Sequence, residues 1–353
     1  LAGRADQIVH YAGGTYIEDD KTASQLGASW ARQWDLRCFS EHHELFTRQG
    51  WINISKVTAE DEILQSDVEG NLSFTRPLDV YSAPYNKDLI SIEGRRLSQL
   101  VTPNHRVLLQ KRRGGTSTVF AESLFKQDRQ HAIPLAGRHK YDRLPDDFQR
   151  LLAMVQADAK LQTSRGRATS GRGHREHMPH RAIILGFTKQ RKLERCEDLL
   201  TKLGIKYTEN KDGFYVSGFE PIAEFVDRVL DENKNFRVGQ EPLFGDAFLD
   251  ELEFWDGWQN QYYTNSRQNA EFVATVAALN DRSASLACDD AGHWTVVLSH
   301  DTERALKSCV ISNVASSGHV YCVTVPDGYV LTRMWGNISI SGNSQFTHYA
   351  WAA

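Results

Sequence analysis

No stretch of this 353-residue sequence approaches the length of an apolar membrane span, which argues against a membrane protein. Cysteine is scarce. The five residues, Cys38, Cys196, Cys288, Cys309 and Cys322, never form a CxxC pair. That pattern excludes the usual zinc frameworks and fits a reducing, cytoplasmic setting in which any working cysteine is a free thiol. Cys196, Cys288 and Cys309 read as small buried apolar residues. A general basic excess is also missing, since the formal charge is −4. Any nucleic-acid contact must then come from a local basic surface. The opening LAGRADQIVHYAGG has neither an initiating Met nor a charged-then-apolar leader. It reads as part of something longer rather than as a signal peptide. The EHHE at 41–44 lacks HExxH spacing and reads as surface or strand decoration.

What is present is ordinary globular material, 41% apolar and 24% charged, with room for two or three domains. Residues 38–143 read as β-rich, with short β-branched runs broken by Pro, Asn and Gly. The register changes at LPDDFQRLLAMVQADAK (144–160). Pro145 and two acids open it like a helix N-terminus, and Phe148, Leu151, Leu152 and Val155 recur at helical spacing. EPLFGDAFLDELEFWDGW (241–258) repeats the plan, with Phe244, Phe248, Leu252 and Trp255 on one stripe. Between them lie a basic loop, the strand-like RAIILGF and the amphipathic ERCEDLLTKLG. From about 311 the β pattern resumes. The simplest account is a β fold interrupted by an inserted, internally duplicated α/β segment.

Two ends of the β regions carry candidate chemistry. Cys38 opens the first, which also contains Thr102, Asn104 and His105 in LVTPNHRVLL. The second runs through VYCVTV (320–325) to Gly342-Asn343-Ser344. By residue type alone Gly-Asn-Ser is a turn. In combination and in this order, however, these motifs resemble the protein-splicing family, the inteins with their all-β Hint fold. The resemblance covers Cys38 to Asn343, with VYCVTV similar to the family's penultimate block. It implies host (extein) flanks at 1–37 and 344–353, and Hint halves at 38–143 and 311–343. Cys38 would attack the Arg37 carbonyl to form a thioester, a step suited to sulfur. His105 would protonate the departing nitrogen, and Thr102 and Asn104 would polarise the scissile carbonyl. Ser344 would take over the acyl group, and Asn343 would cyclise to release the element. The reaction needs no cofactor. The chain departs from the family in having Gly342 where His usually precedes the Asn, Tyr329 or Val330 where another His is common, and Cys322 where Asp is common. Cys322 is counted with the catalytic set, and Arg333 or a water is a candidate aid to cyclisation.

The segment 144–310 is similar to LAGLIDADG homing endonucleases. LLAMVQADA and LDELEFWDG each resemble the family's helix motif, 98 residues apart. That resemblance implies a pseudo-twofold α/β domain whose helices end in Asp158 and Asp256, which would bind Mg²⁺ for double-strand cleavage. Ala159 replaces the usual Gly after the first acid. The loop after the first helix carries Arg165, Arg167, Arg172, Arg175 and Arg181, suited to phosphate contacts and guanine readout, and Lys189 is a candidate basic residue near the metal. The implied partners are double-stranded DNA from the intein-free host gene and the extein flanks in cis, for a monomer. Two alternatives stay open: a splicing element with a dead, DNA-binding nuclease remnant, and a Hint domain that cleaves without ligating, against which Ser344 and the residues after it speak.

Overall fold

The computed structural model describes residues 7–11, 14–18, 37–140, 143–163, 181–218 and 220–342. Residues 1–36 form a separate unit, described by one antiparallel hairpin of Gln7–Tyr11 and Gly14–Glu18. Everything from Arg37 onward is a second compact unit, mostly β, with five α-helices among the described residues. None of these helices is long and apolar enough to cross a membrane.

Two large sheets interleave the beginning and the end of this unit. In the first, β1 (Phe39–Ser40) lies between β5 (Leu97–Val101) and β7 (Gly318–Thr324); β3 (Asp79–Tyr85) pairs on the far side of β7 and β4 (Leu89–Gly94) on the far side of β5. In the second, β8 (Tyr329–Met334) pairs with β2 (His43–Thr47) on one side and with β9 (Asn337–Gly342) over its whole length. Residues 289 positions apart are thus direct ladder neighbours, as Arg333 and Glu44 are. A third sheet holds β6 (Arg106–Gln110) between Thr116–Phe120 and Ala132–Pro134, and its far edge is Glu303–Ala305. The chain therefore rejoins the β region at Glu303, earlier than the 311 that the apolar pattern suggests. The strand ERA is too short and polar to announce itself by alternation.

Between these parts lie two similar halves. α1 (Asp146–Asp158) starts after Pro145 with two acids in its first turn, which suits the positive helix end. It is followed by a sheet in the order Ala159–Thr163, Arg181–Gly186, Gly213–Val216, Tyr207–Asn210, with α2 (Gln190–Lys202) inserted after the second strand and α3 (Ile222–Val229) after the last. α4 (Asp246–Asp256) is followed by Gly257–Trp258, Gln261–Thr264, Trp294–Ser299 and Ser283–Cys288, with α5 (Arg267–Ala278) inserted at the same point. Numbered along the chain, both sheets run 1-2-4-3. α1 and α4 pack side by side, with Gln149 on α1 accepting the Gly245 N–H at 2.7 Å.

The core follows the chain pattern. Leu151, Leu152, Val155, Phe248, Leu252 and Trp255 are buried in one cluster with Phe236 and Phe272. Phe244 joins it from the turn before α4 rather than from the helix. Ala159 is also buried there, so it fits where a glycine was expected. A separate cluster combines Phe46, Leu64, Leu108, Leu331 and Ile340 of the β region with Ala278 and Leu279 at the end of α5. The two regions share a wall.

Candidate functional site

Cys38 is fully buried at the start of β1. Its N–H donates to Thr102 Oγ1 at 3.0 Å, and its carbonyl accepts the Thr102 N–H at 3.0 Å. This follows from register: Val101 of β5 faces Phe39 of β1, so Thr102 falls opposite Cys38. Thr102 is thus bonded to the backbone of Cys38 on both sides of that residue. Its hydroxyl holds the amide nitrogen of Cys38.

Pro103 and Asn104 are the central residues of a tight turn closed by the His105 N–H donating to the Thr102 carbonyl at 2.9 Å. Pro at the first central position pre-sets that turn. The turn delivers His105, 0% exposed, into the space beside Cys38. Its ring stands edge-on to Phe39 with centroids 4.5 Å apart, and Nε2 lies 3.0 Å from Ser341 Oγ on β9. Nδ1 has no hydrogen-bond partner among the described residues, and the Arg37 backbone is close enough to act on the ring. Burial holds the His105 pKa down to about 3, against that backbone's opposing pull. The ring is neutral at pH 7 and carries one proton.

His43 corrects the reading of EHHE as decoration. His42 is exposed, but His43 points inward, fully buried, its ring 4.9 Å from Phe39 and its Nδ1 3.2 Å from Ser40 Oγ. Nε2 of His43 has no partner among the described residues, and burial holds this pKa near 3 as well. His42 lies in the turn before β2, whereas His43 is the first residue of that strand. No cluster of three or more His, Cys, Asp or Glu suited to a metal occurs among the described residues.

The largest correction concerns sulfur. Cys38 and Cys322 form a disulfide. β7 runs antiparallel to β1 with Tyr321 opposite Phe39 and Val320 opposite Ser40, so Cys322 falls opposite Cys38, 4.5 Å away Cα to Cα. The expectation of free thiols at these two positions does not hold, whereas Cys196 and Cys309 are buried free thiols as expected and Cys288 is exposed.

Asn343 and Ser344 lie outside the described residues. Gly342, just before them, ends β9 opposite Tyr329. A Cβ on Gly342 would run into the carbonyl and Cβ of Arg106, so no histidine fits there. Arg333 does not reach this end of the strand. It is 8% exposed, forms a fork on Glu44 at 2.7 and 2.9 Å and donates to Glu271 on α5 at 3.0 Å.

A second cluster forms where α1 and α4 end. Asp158 accepts from Lys192 Nζ, which also lies 5.4 Å above the Trp255 ring. Lys234 donates to the Ala157 carbonyl at 3.1 Å. The Asp256 carboxyl is pushed above the ordinary aspartate range by burial and then by the Asp158 charge, with Lys192 and Lys234 opposing. Lys234 is pushed below the ordinary lysine range by burial, opposed by both acids. The negative ends of two helices add to the field. Lys189, the candidate basic residue, is exposed just before α2; Lys192, one turn on, reaches the acids. Lys234 had no signal in the sequence, lying far from both motifs. Arg165, Arg167, Arg172 and Arg175 lie outside the described residues, and Arg181 opens a strand opposite Thr163.

No protein-family model matches the chain. It is 23% identical over 362 aligned positions to the ribonucleoside-diphosphate reductase subunit beta of Aquifex aeolicus (strain VF5), covering 89% of this chain and 51% of that protein. It is 29% identical over 93 residues to the ATP-dependent Clp protease proteolytic subunit of Chlamydomonas moewusii, covering 25% of this chain and 9% of the relative. The chain thus spans about half the length of the first relative and a small part of the second. Among solved structures, it is similar to the AceL NrdHF class 3 split intein at 12% identity and TM-score 0.37, over 87% of this chain and 99% of that one. It is also similar to I-DmoI in complex with DNA and Mn, at 14% identity and TM-score 0.28, over 44% of this chain and 89% of that one.

Proposed function

We propose that this chain is an intein, excising residues 38–343 and joining its flanks, with a DNA-cutting domain inserted between its two β portions. The observation that carries the reading is the placement of His105. One buried imidazole bonds Ser341, two residues before Asn343, and the backbone of Arg37, one residue before Cys38, acts on the same ring. A single ring therefore lies within two residues, along the chain, of both proposed splice junctions.

With Ser341 donating to Nε2, the one ring proton sits on Nδ1. Once reduced, the Cys38 thiolate attacks the Arg37 carbonyl while Thr102 Oγ1 holds the departing amide N–H and His105 gives that nitrogen its ring proton, recovering one from solvent, so that an amide becomes a thioester and a free amine. The Ser344 hydroxyl displaces the sulfur and leaves an ester. Asn343 then closes on its own carbonyl, freeing the Ser344 amine, to which the acyl group migrates from oxygen to nitrogen. The test is a gel: the expressed, reduced chain should yield a joined flank product and a 306-residue excised piece. An intact chain under reducing conditions would refute the reading.

For the inserted segment, Asp158 and Asp256 fit a shared divalent cation, because each carboxylate raises the other's affinity for positive charge. They would hold Mg²⁺, which when bound polarises a phosphate and activates water. Lys192 and Lys234 lie where they would meet a phosphate. A second reading, a nuclease remnant, is favoured by Lys192 already engaging Asp158. Metal-dependent digestion of a plasmid carrying the joined host sequence separates the two.

A further inference from the structure

The usual histidine before the cyclising asparagine has no room in this chain, which raises the question of what stands in its place. Arg106 does so physically: its backbone carbonyl and Cβ occupy the volume that a side chain on Gly342 would need. Its guanidinium lies over the Tyr329 ring, 5.4 Å from the centroid, and Nη2 is 3.5 Å from the Tyr329 hydroxyl. Tyr329 is the register partner of Gly342, and its hydroxyl is fixed in turn by Thr118. The other terminal nitrogen, Nη1, is buried with no hydrogen-bond partner among the described residues. A buried guanidinium N–H without an acceptor is costly, and such groups concentrate where a reaction supplies the acceptor. The charge of Arg37, at the other junction, also acts on Arg106.

We propose that Arg106, oriented by Tyr329 and Thr118, is the electrophile for the C-terminal step, donating to the Asn343 carbonyl oxygen as negative charge develops on it. This rests on the splicing reading. The Asn343 side-chain nitrogen forms a bond to the Asn343 carbonyl carbon, and the bond from that carbon to the Ser344 nitrogen breaks. The proton lost from the side-chain amide ends on the Ser344 amine through solvent. Arg106 gives up no proton, since its pKa keeps it charged throughout.

The distinguishing consequence lies in the pH profile. A histidine in this role would impose an inflection between about pH 6 and 8, whereas an arginine imposes none. The experiment uses the full chain carrying Cys38→Ala, in which only cleavage at Asn343 is read, by mass, from pH 5.5 to 9. The expected result is cleavage without an inflection between pH 6 and 8. Arg106→Met should slow it about 100-fold, the loss typical for one oxyanion donor, and Arg106→Lys should recover at least about a tenth of the parent rate. Circular dichroism establishes that both variants fold. Undiminished cleavage in Arg106→Met overturns the proposal, as does a histidine-like inflection, or equal loss in folded Lys and Met variants. No cleavage at all in the Cys38→Ala chain would bring down the splicing reading, and this inference with it.

Discussion

Cys322→Ser is the most informative single change, because it separates two consequences of one bond. The disulfide ties Cys38 to a residue 284 positions away. In the chain-entropy view a loop of that length stabilises the folded state by about 5 kcal/mol, and strain in the folded state lowers the figure. Spread over residues 37–353 at about 2 cal/mol/K per residue, it corresponds to a shift of about 8 °C in the unfolding midpoint. Its local effect is larger, since β1 is two residues long and held by three ladder pairs, Val101 to Phe39, Tyr321 to Phe39 and Val320 to Ser40. Chemically the bond consumes the proposed nucleophile. A dithiol must deliver two electrons and two protons, becoming a disulfide itself, before Cys38 can attack. The chain purified without reductant should therefore be inert, and should splice when dithiothreitol is added. Cys322→Ser should splice without reductant and melt several degrees below the oxidised parent. The assay is a non-reducing gel with alkylation of free thiols before and after reduction, alongside calorimetry. Joined flanks from a chain whose Cys38 stays closed to alkylation would refute the reasoning.

Three further outcomes are expected. Thr102→Val leaves the buried Cys38 N–H unpaired, a cost of about 1–3 kcal/mol; thiol-induced cleavage at Arg37–Cys38 should slow about 10- to 100-fold, and an unchanged yield would count against Thr102. The pKa values of His43 and His105 fall from 6.5 to about 3 on folding. Between those values the unfolded chain binds protons that the folded chain refuses, so stability is full above about pH 6.5 and declines as pH drops toward 3; urea midpoints at pH 7 and 4.5 test this, and His43→Gln should flatten the dependence. Asp256→Asn removes a carboxylate that burial disfavours, so the unfolding midpoint should hold or rise while Mg²⁺-dependent cutting disappears and splicing continues; cutting by this variant would exclude Asp256 from the nuclease chemistry.

The parts of the fold legible in the sequence were those fixed by local periodicity. Phe148, Leu151, Leu152 and Val155 define a helix face within one segment, and Pro145 with its two acids marks where that helix starts. Thr-Pro-Asn-His writes its own turn. The site was harder, because its geometry comes from pairing between distant strands. Nothing near Cys322 says that it will face Cys38; the register of a two-residue strand decides that. His42 and His43 are the same letter side by side, and only the sheet distinguishes the exposed ring from the buried one. Lys189 and Lys192 differ by one helical turn, a distinction that needs the position of Asp158 in space. Gly342 looked like a missing histidine until the Arg106 backbone was seen to fill the room for one.

The wall between the β region and α5 bears on how such a chain would age. Ala278 and Leu279 complete the apolar cluster around Phe46 and Ile340, Thr275 accepts the Trp51 indole N–H, and Glu271 shares Arg333 with Glu44. A lineage whose target DNA has vanished gains nothing by keeping Asp158 or Asp256, and mutation can erode both without disturbing a single β ladder. Glu271, Thr275, Ala278 and Leu279 are not free to drift in the same way, since losing them exposes apolar surface and takes one partner from a buried arginine in the β region. Decay would then stop short of α5, leaving a helix as a fossil of the insertion, kept for its packing long after the cutting has gone.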